Sequence, residues 1–234
     1  MKKIILGSLL AAIAASPAIA QDLAGQEVVV TAARIDQDDF SDYMPAVGLR
    51  RNADFLVMEV IIRGDTRDAD QRESEIRAML RRAIERAERS GVELAQGDYI
   101  VTRLTVENAD EIELRNDRRP DSERITFLVK APLADQSVED AQATIKQFIE
   151  SVPEVGRAEM EEFGDPSLSV VGPDSFREQI IALVAQDARR QADVLGAEYA
   201  VELTGLNMPV QWARSGPGEV LLYIPYELKV VPRP

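Results

Sequence analysis

The two side chains that most often carry chemistry near neutral pH are missing, because this 234-residue chain has no histidine and no cysteine. Imidazole bases, thiolate nucleophiles, disulfides and the usual zinc and copper ligand sets are thereby excluded. Catalysis would have to rest on serine with lysine, on tyrosine, or on carboxylates alone. The serines show no G-x-S-x-G nucleophile elbow. The 41 acidic residues are widely scattered, with no spacing that singles out an acid/base pair. The acidic stretch from Asp36 to Asp42 lacks the alternating oxygen ligands and central glycine of a calcium loop. The sequence therefore assigns no catalytic residue, no cofactor site and no metal ligand. It reads as non-enzymatic, with a serine- or carboxylate-based hydrolase as an alternative.

Residues suited to partner contacts are easier to find. Residues 207–218, NMPVQWARSGPG, hold the only tryptophan of the chain in a segment punctuated by proline and glycine. Trp212 beside Arg214 is either an interface anchor or a lid folded back over the core. Arg115, Arg118 and Arg119 lie close together, but acidic neighbours from Asp110 to Asp121 compensate them, as in a solvated loop. Near the start, residues 26–34 read QEVVVTAAR, an apolar β-branched run in which Glu27, Val28, Val29, Val30 and Thr31 are candidate contacts through strand addition.

These candidates sit on a chain built for export. Lys2 and Lys3 precede an apolar run from Ile4 to Ala15, and Ala18-Ile19-Ala20 supplies a small-x-small cleavage pattern, so residues 1–20 read as a secretory signal. The 20 residues carry two lysines, so removing them takes the net charge from −14 to −16 over the remaining 214 residues. Such acidity argues against nucleic acid and against adsorption to anionic lipid. Nothing later in the chain has the length and apolarity of a membrane span. The expected location is the periplasm, with outer-membrane association open.

Periodicity supplies the elements. The stretch from Tyr43 to Gly64 is strand-like, and apolar residues of both parities from Phe55 to Ile62 predict burial on both faces. A helix is expected over 68–89 on the stripe Ile76, Met79, Leu80, Ala83, Ile84, Ala87, closed by Gly91. Strands follow at 99–106 and 124–131, the latter with Ile125, Phe127, Val129 and Ala131 inward and Arg124, Thr126 and Lys130 outward. Ser137 to Asp140 resembles a capping box before a helix that buries Ala141, Ile145, Phe148, Ile149 and Val152, and a strand is expected around 155–163. Residues 54–163 thus read β-α-β-β-α-β, an α+β core with a mainly antiparallel sheet and both helices on one face. The long helices argue against a small β-barrel. A C-terminal helix and β-hairpin complete the chain. Ser175 and Glu178 look like a second capping box, Ile181, Val184, Ala188, Ala192 and Leu195 like a buried stripe, and Gly196 like a stop. A strand is expected over 199–206, and another over 218–231 with Pro225 at an edge or bulge.

Within the last helix, Asp187-Ala188-Arg189 with Ala192 and Leu195-Gly196 resembles the helix signature of SIMPL-domain proteins. The strands at 199–206 and 223–231, the opening stretch 46–60 and the helix at 68–92 also sit where that family has them, so the resemblance spans roughly 45–231. The family often has Pro-Asp where this chain has Ala53-Asp54. The resemblance implies an exported α+β protein whose relatives lie in the periplasm or at the outer membrane, some assembling into rings, and it brings no shared catalytic residues. QEVVVTAAR separately resembles a TonB box, the strand through which outer-membrane receptors engage the energy-coupling protein TonB. An ordinary first strand or a strand donated to a neighbour is the preferred reading of these residues.

The expected organisation is a signal peptide at 1–20, an N-terminal strand and acidic linker at 21–44, and a SIMPL-like domain at 45–234. The expected function is a non-enzymatic envelope protein that self-associates as a homo-oligomer or serves as an interaction module. A TonB-coupled adaptor in outer-membrane uptake, using residues 26–34, is the alternative.

Overall fold

The computed structural model describes residues 26–30, 46–98 and 100–233. The secretory segment at 1–20, the acidic stretch at 36–42 and Thr31 lie outside the described residues. The chain is α+β. The strand β1 (Glu27–Val30) is followed by β2 (Leu49–Asn52), β3 (Phe55–Gly64) and α1 (Ala69–Ala87). Next come β4 (Glu93–Gln96), β5 (Ile100–Arg103), β6 (Arg115–Asn116), β7 (Glu123–Pro132), α2 (Val138–Ser151), β8 (Ala158–Glu162) and β9 (Ser167–Val171). The last part contains α3 (Arg177–Leu195), β10 (Tyr199–Thr204), β11 (Gln211–Arg214), β12 (Glu219–Tyr223) and β13 (Glu227–Pro232).

The first two helices form where their caps and stripes place them. Asp68 accepts from the Gln71 amide at 2.9 Å, and Ile76, Met79, Leu80, Ala83 and Ala87 are buried along α1. Gly91 ends that helix region at φ 71°, where a residue without a Cβ is at least cost. Ser137 caps α2, accepting from the Asp140 amide at 3.1 Å and donating to its carboxylate at 2.9 Å. Ala141, Ile145, Phe148 and Ile149 are the buried face of α2. Both helices pack with the outward residues of β3 and β7, Leu56, Met58, Val60, Ile62, Ile125, Phe127 and Val129, in one apolar core.

The sheet itself departs from the expected open β-α-β-β-α-β layer. The long β3–β7 pairing joins the two ends of β7-β4-β5-β1-β9-β3, which closes a six-stranded antiparallel barrel, while β6 and β8 extend β7 and β3 beyond it. Helices and a small barrel coexist because α1 and α2 lie on its outside. Closure depends on two elements read differently from sequence. The strand β1 comes from the segment set apart as an N-terminal strand, yet it pairs along its length with β9 and at Glu27 and Val28 with β5. The strand expected at 99–106 is the second half of a hairpin whose first half is β4. Its turn passes through Gly97 at φ 118°, where a Cβ would run into the Ile100 carbonyl.

The corner between β2 and β3 is Ala53-Asp54. The Asp54 carboxylate accepts from Arg51 at 2.6 Å and from the Val171 amide at 2.8 Å, fixing the break that divides the expected 43–64 strand. The strand β2 joins β12 and β11 in a separate three-stranded sheet, and β10 pairs with β13 in a two-stranded one. The strand expected over 218–231 is therefore split, with Pro225 at the break between β12 and β13. Before α3, Pro173–Phe176 forms a 3₁₀ turn in which Ser175 donates to the Gly172 carbonyl at 2.6 Å, so Ser175 does not cap the helix. The buried face of α3 is Ile180, Val184 and Ala188, and its last turn, including Leu195, is exposed.

Candidate functional site

The closed barrel has a polar lumen. Side chains at the alternate positions of β3 and β7, among them Val57, Glu59, Thr126, Leu128 and Lys130, lie on the face opposite the helices. Lys130 on β7 ion-pairs with Glu27 on β1, although β4 and β5 separate these strands in the sheet, so the two side chains meet across the interior. Lys130 is also 3.2 Å from the Glu93 carboxylate on β4 and sits 4.1 Å from the centroid of the Phe55 ring on β3. Ser169 on β9 donates to the other oxygen of Glu27 at 2.7 Å. Five strands thus converge on one buried group. Serine, lysine and carboxylate are the types a hydrolase without histidine would need, but Ser169 is 0 % exposed and its proton is committed to Glu27.

Toward the opposite end of β3 and β7 the lumen opens into a cavity of about 630 Å³. Glu59, Thr126 and Leu128 supply its floor, Val29 and Ser167 one wall, and the β4–β5 turn with Asp98 another. Burial raises the Glu59 carboxyl above its ordinary range, the negative charge of Asp98 raises it further, and Arg124 opposes both. The Arg124 guanidinium lies 4.9 Å over the Phe163 ring and 3.6 Å from Asp117. Asp117 also holds Arg63 at 2.7 Å. Burial alone would raise the Asp117 carboxyl, but the Arg118 amide and the two guanidinium groups outweigh it and hold it low. Arg115, on the rim, pairs with Glu113 at 2.9 Å, and Arg118 and Arg119 are exposed neighbours on the same loop.

The other residues singled out from sequence fall elsewhere. Val28, Val29 and Val30 are buried in the barrel wall with their backbone in ladders, so Glu27–Val30 is not a free strand. Trp212 and Arg214 are on β11 and not in a loop. Trp212 packs half-buried against the core opposite Leu222. Arg214 donates to the carbonyls of Gly216, Pro217 and Pro166 at 3.1, 2.8 and 3.2 Å, which staples the β11–β12 turn to the start of β9. Asp187 accepts from Gln191 at 2.6 Å.

Glu59 and Lys130 were legible only as anomalies, each an ionisable residue flanked by apolar neighbours inside a strand. Read by alternation, Lys130 faces solvent; in the closed barrel that face is the lumen, and Lys130 is 4 % exposed.

A second feature lies on the surface. The β10–β13 sheet has unpaired outer edges among the described residues. Around it Val194, Leu195, Tyr199 and Val230 are exposed, Val194 at 83 %. No helix among the described residues is long and apolar enough to cross a membrane. No protein-family model matches the chain, and no curated protein matches it.

Proposed function

We propose that the protein is a non-enzymatic, exported module of the bacterial envelope that acts by self-association, and that the β10–β13 ribbon forms the contact. The observation that carries this reading is the ribbon itself: two six-residue strands, both outer edges open, flanked by exposed Val194, Tyr199 and Val230. Two-stranded sheets are marginal alone, and open edges with apolar neighbours are templates for further pairing. A two-fold axis beside β10 would join two ribbons into a four-stranded sheet and bring Val194 and Tyr199 of each copy against the other. The secretory pattern of residues 1–20 supports a periplasmic location, and the SIMPL resemblance supports an envelope protein that assembles.

Glu198, Glu202 and Glu227 place negative charge around the ribbon, with Lys229 opposite Glu202. Association of two such acidic surfaces strengthens as salt screens them. Light scattering on the chain from Gln21 onward, over a concentration series, tests the reading. The expected result is a concentration-dependent oligomer that Val194→Glu with Tyr199→Lys converts to monomer without loss of thermal stability. A strictly monomeric wild-type chain at high concentration overturns it.

The TonB-coupled alternative requires Glu27–Val30 to leave both neighbouring strands and Glu27 to abandon Lys130. It predicts TonB capture that is lost when residues 26–34 are deleted.

A further inference from the structure

We propose that the mouth of the barrel binds small aliphatic polyamines, molecules with two or more ammonium groups on a methylene chain. The cavity of about 630 Å³ falls within the span typical of ligand pockets, and barrel mouths are recurrent places for them. Its wall chemistry selects the occupant. Five carboxylates line it, of which Glu113 is paired with Arg115; the other four come from separate segments: Glu59 from β3, Asp98 from the β4–β5 turn, Glu111 from the 3₁₀ turn after β5, and Asp165 from the approach to β9. None of the four has an ion-pair partner among the described residues. Of the two guanidinium groups of the wall, Arg115 is held by Glu113, while Arg124 lies 3.6 Å from Asp117 and over the Phe163 ring, with its buried Nε lacking a hydrogen-bond partner among the described residues.

The cavity therefore carries an excess of negative charge, five carboxylates against the guanidinium groups of Arg115 and Arg124. The charge is also spread out. Among the described residues no three acidic side chains stand close enough to hold a metal ion. Compensation calls for a ligand whose positive charges are themselves separated. Val29 and Leu128 give the interval between the carboxylates an apolar surface against which methylene groups can lie. Thr126 and Ser167 add hydroxyl acceptors for the remaining ammonium protons. A single ammonium seated between Glu59 and Asp98 would relieve the repulsion between those two carboxylates and favour the ionised form of Glu59. The inference is independent of the ribbon, which lies on other elements.

Isothermal titration calorimetry of the chain from Gln21 onward with spermidine and with putrescine, at low salt and neutral pH, tests it. The expected result is saturable one-to-one binding that weakens in mild acid as Glu59 takes up its proton. Glu59→Gln and Asp98→Asn should each reduce spermidine affinity about tenfold or more, since each removes a charge-assisted hydrogen bond. Thr126→Trp, which fills the cavity, should abolish it. Asp98 lies in an exposed turn, so Asp98→Asn decides the matter if the other variants fold poorly. The proposal is overturned by absence of saturable heat with either amine, by equal affinity in wild type and Asp98→Asn, or by calcium displacing spermidine at lower concentration than spermidine itself binds.

Discussion

Replacing Lys130 by methionine removes one charge from the centre of the barrel while keeping an unbranched side chain only one atom shorter. The structure sets the magnitude. Lys130 is 4 % exposed and the Glu27 side chain 15 %, so little water is available to solvate whichever partner remains. Stranding one member of a buried pair costs about 3–5 kcal/mol. Ser169 can still donate to Glu27, but the carboxylate loses its cation, and Glu93 loses the ammonium 3.2 Å away. Loss of the cation over the Phe55 ring adds to the cost in the same direction. With a urea dependence of about 3 kcal/mol per molar, Lys130→Met should lower the unfolding midpoint by about 1–1.7 M. Glu27→Gln should cost less, because Lys130 keeps Glu93 and the amide oxygen still accepts from Ser169. The double variant leaves no stranded charge at that pair and should be more stable than the sum of the single losses implies, by about 1.5 kcal/mol or more. Urea denaturation followed by far-ultraviolet circular dichroism on all four proteins closes the cycle. Additivity within about 0.5 kcal/mol, or a midpoint shift for Lys130→Met below about 0.3 M, would refute the convergence of β1 and β7 in the lumen and with it the closure of the barrel.

Three further outcomes follow from local geometry. Glu59 is held above its ordinary range, so the folded state retains its proton more tightly than the unfolded chain; its carboxylate opposes folding above the folded pKa, and that penalty fades as pH falls to the unfolded value. Glu59→Gln should therefore raise the melting temperature in mildly alkaline buffer and leave it unchanged near pH 4, a trend opposite to that from Glu75 and Asp117, whose lowered pKa values contribute stability that is lost on acidification. Gly97→Ala forces a Cβ against the Ile100 carbonyl at a φ of 118°, and should cost about 1–3 kcal/mol by thermal denaturation, read as a drop of roughly 2–4 °C for each kcal/mol. Asp54→Ala leaves the Val171 amide and Arg51 without their acceptor, for a loss of about 1–3 kcal/mol in the same assay, whereas Asp54→Asn keeps one of the two contacts and should lose less.

What the sequence disclosed and what it concealed divide along the range of the interactions involved. Helices α1 and α2 were legible because their determinants are local: Asp68 and Ser137 cap within three residues, and the stripes from Ile76 to Ala87 and from Ala141 to Ile149 repeat every three or four. The start of α3 was misread for the same reason inverted, since Ser175 has the right spacing for a cap but spends its hydroxyl on Gly172 inside a 3₁₀ turn. Closure of the sheet has no local signature. It depends on Glu27–Val30 meeting residues 168–171 and on Glu27–Val28 meeting Ile100–Val101, pairings that alternation within one strand cannot report. Without closure, the polar parity of β7 has one natural reading, solvent, and Lys130 and Thr126 disappear into the surface.

The recoverable signal was the mismatch between neighbours. A strand facing water on one side alternates cleanly. Here Val57 and Ile61 share a face with Glu59, and Leu128 shares one with Thr126 and Lys130. A face that mixes bulky aliphatics with single ionisable groups fits an enclosed, partly polar space better than bulk solvent, because exposed Val57 and Ile61 would gain nothing there and both are fully buried. The same mixture separates the two ends of the lumen. Where Lys130, Glu27 and Ser169 satisfy one another, the interior is closed; where Glu59 meets Asp98, with Arg124 only partly offsetting their repulsion, it opens into the cavity. The residue least well served by the fold, Glu59, is thus the one whose substitution tests the proposed site most directly.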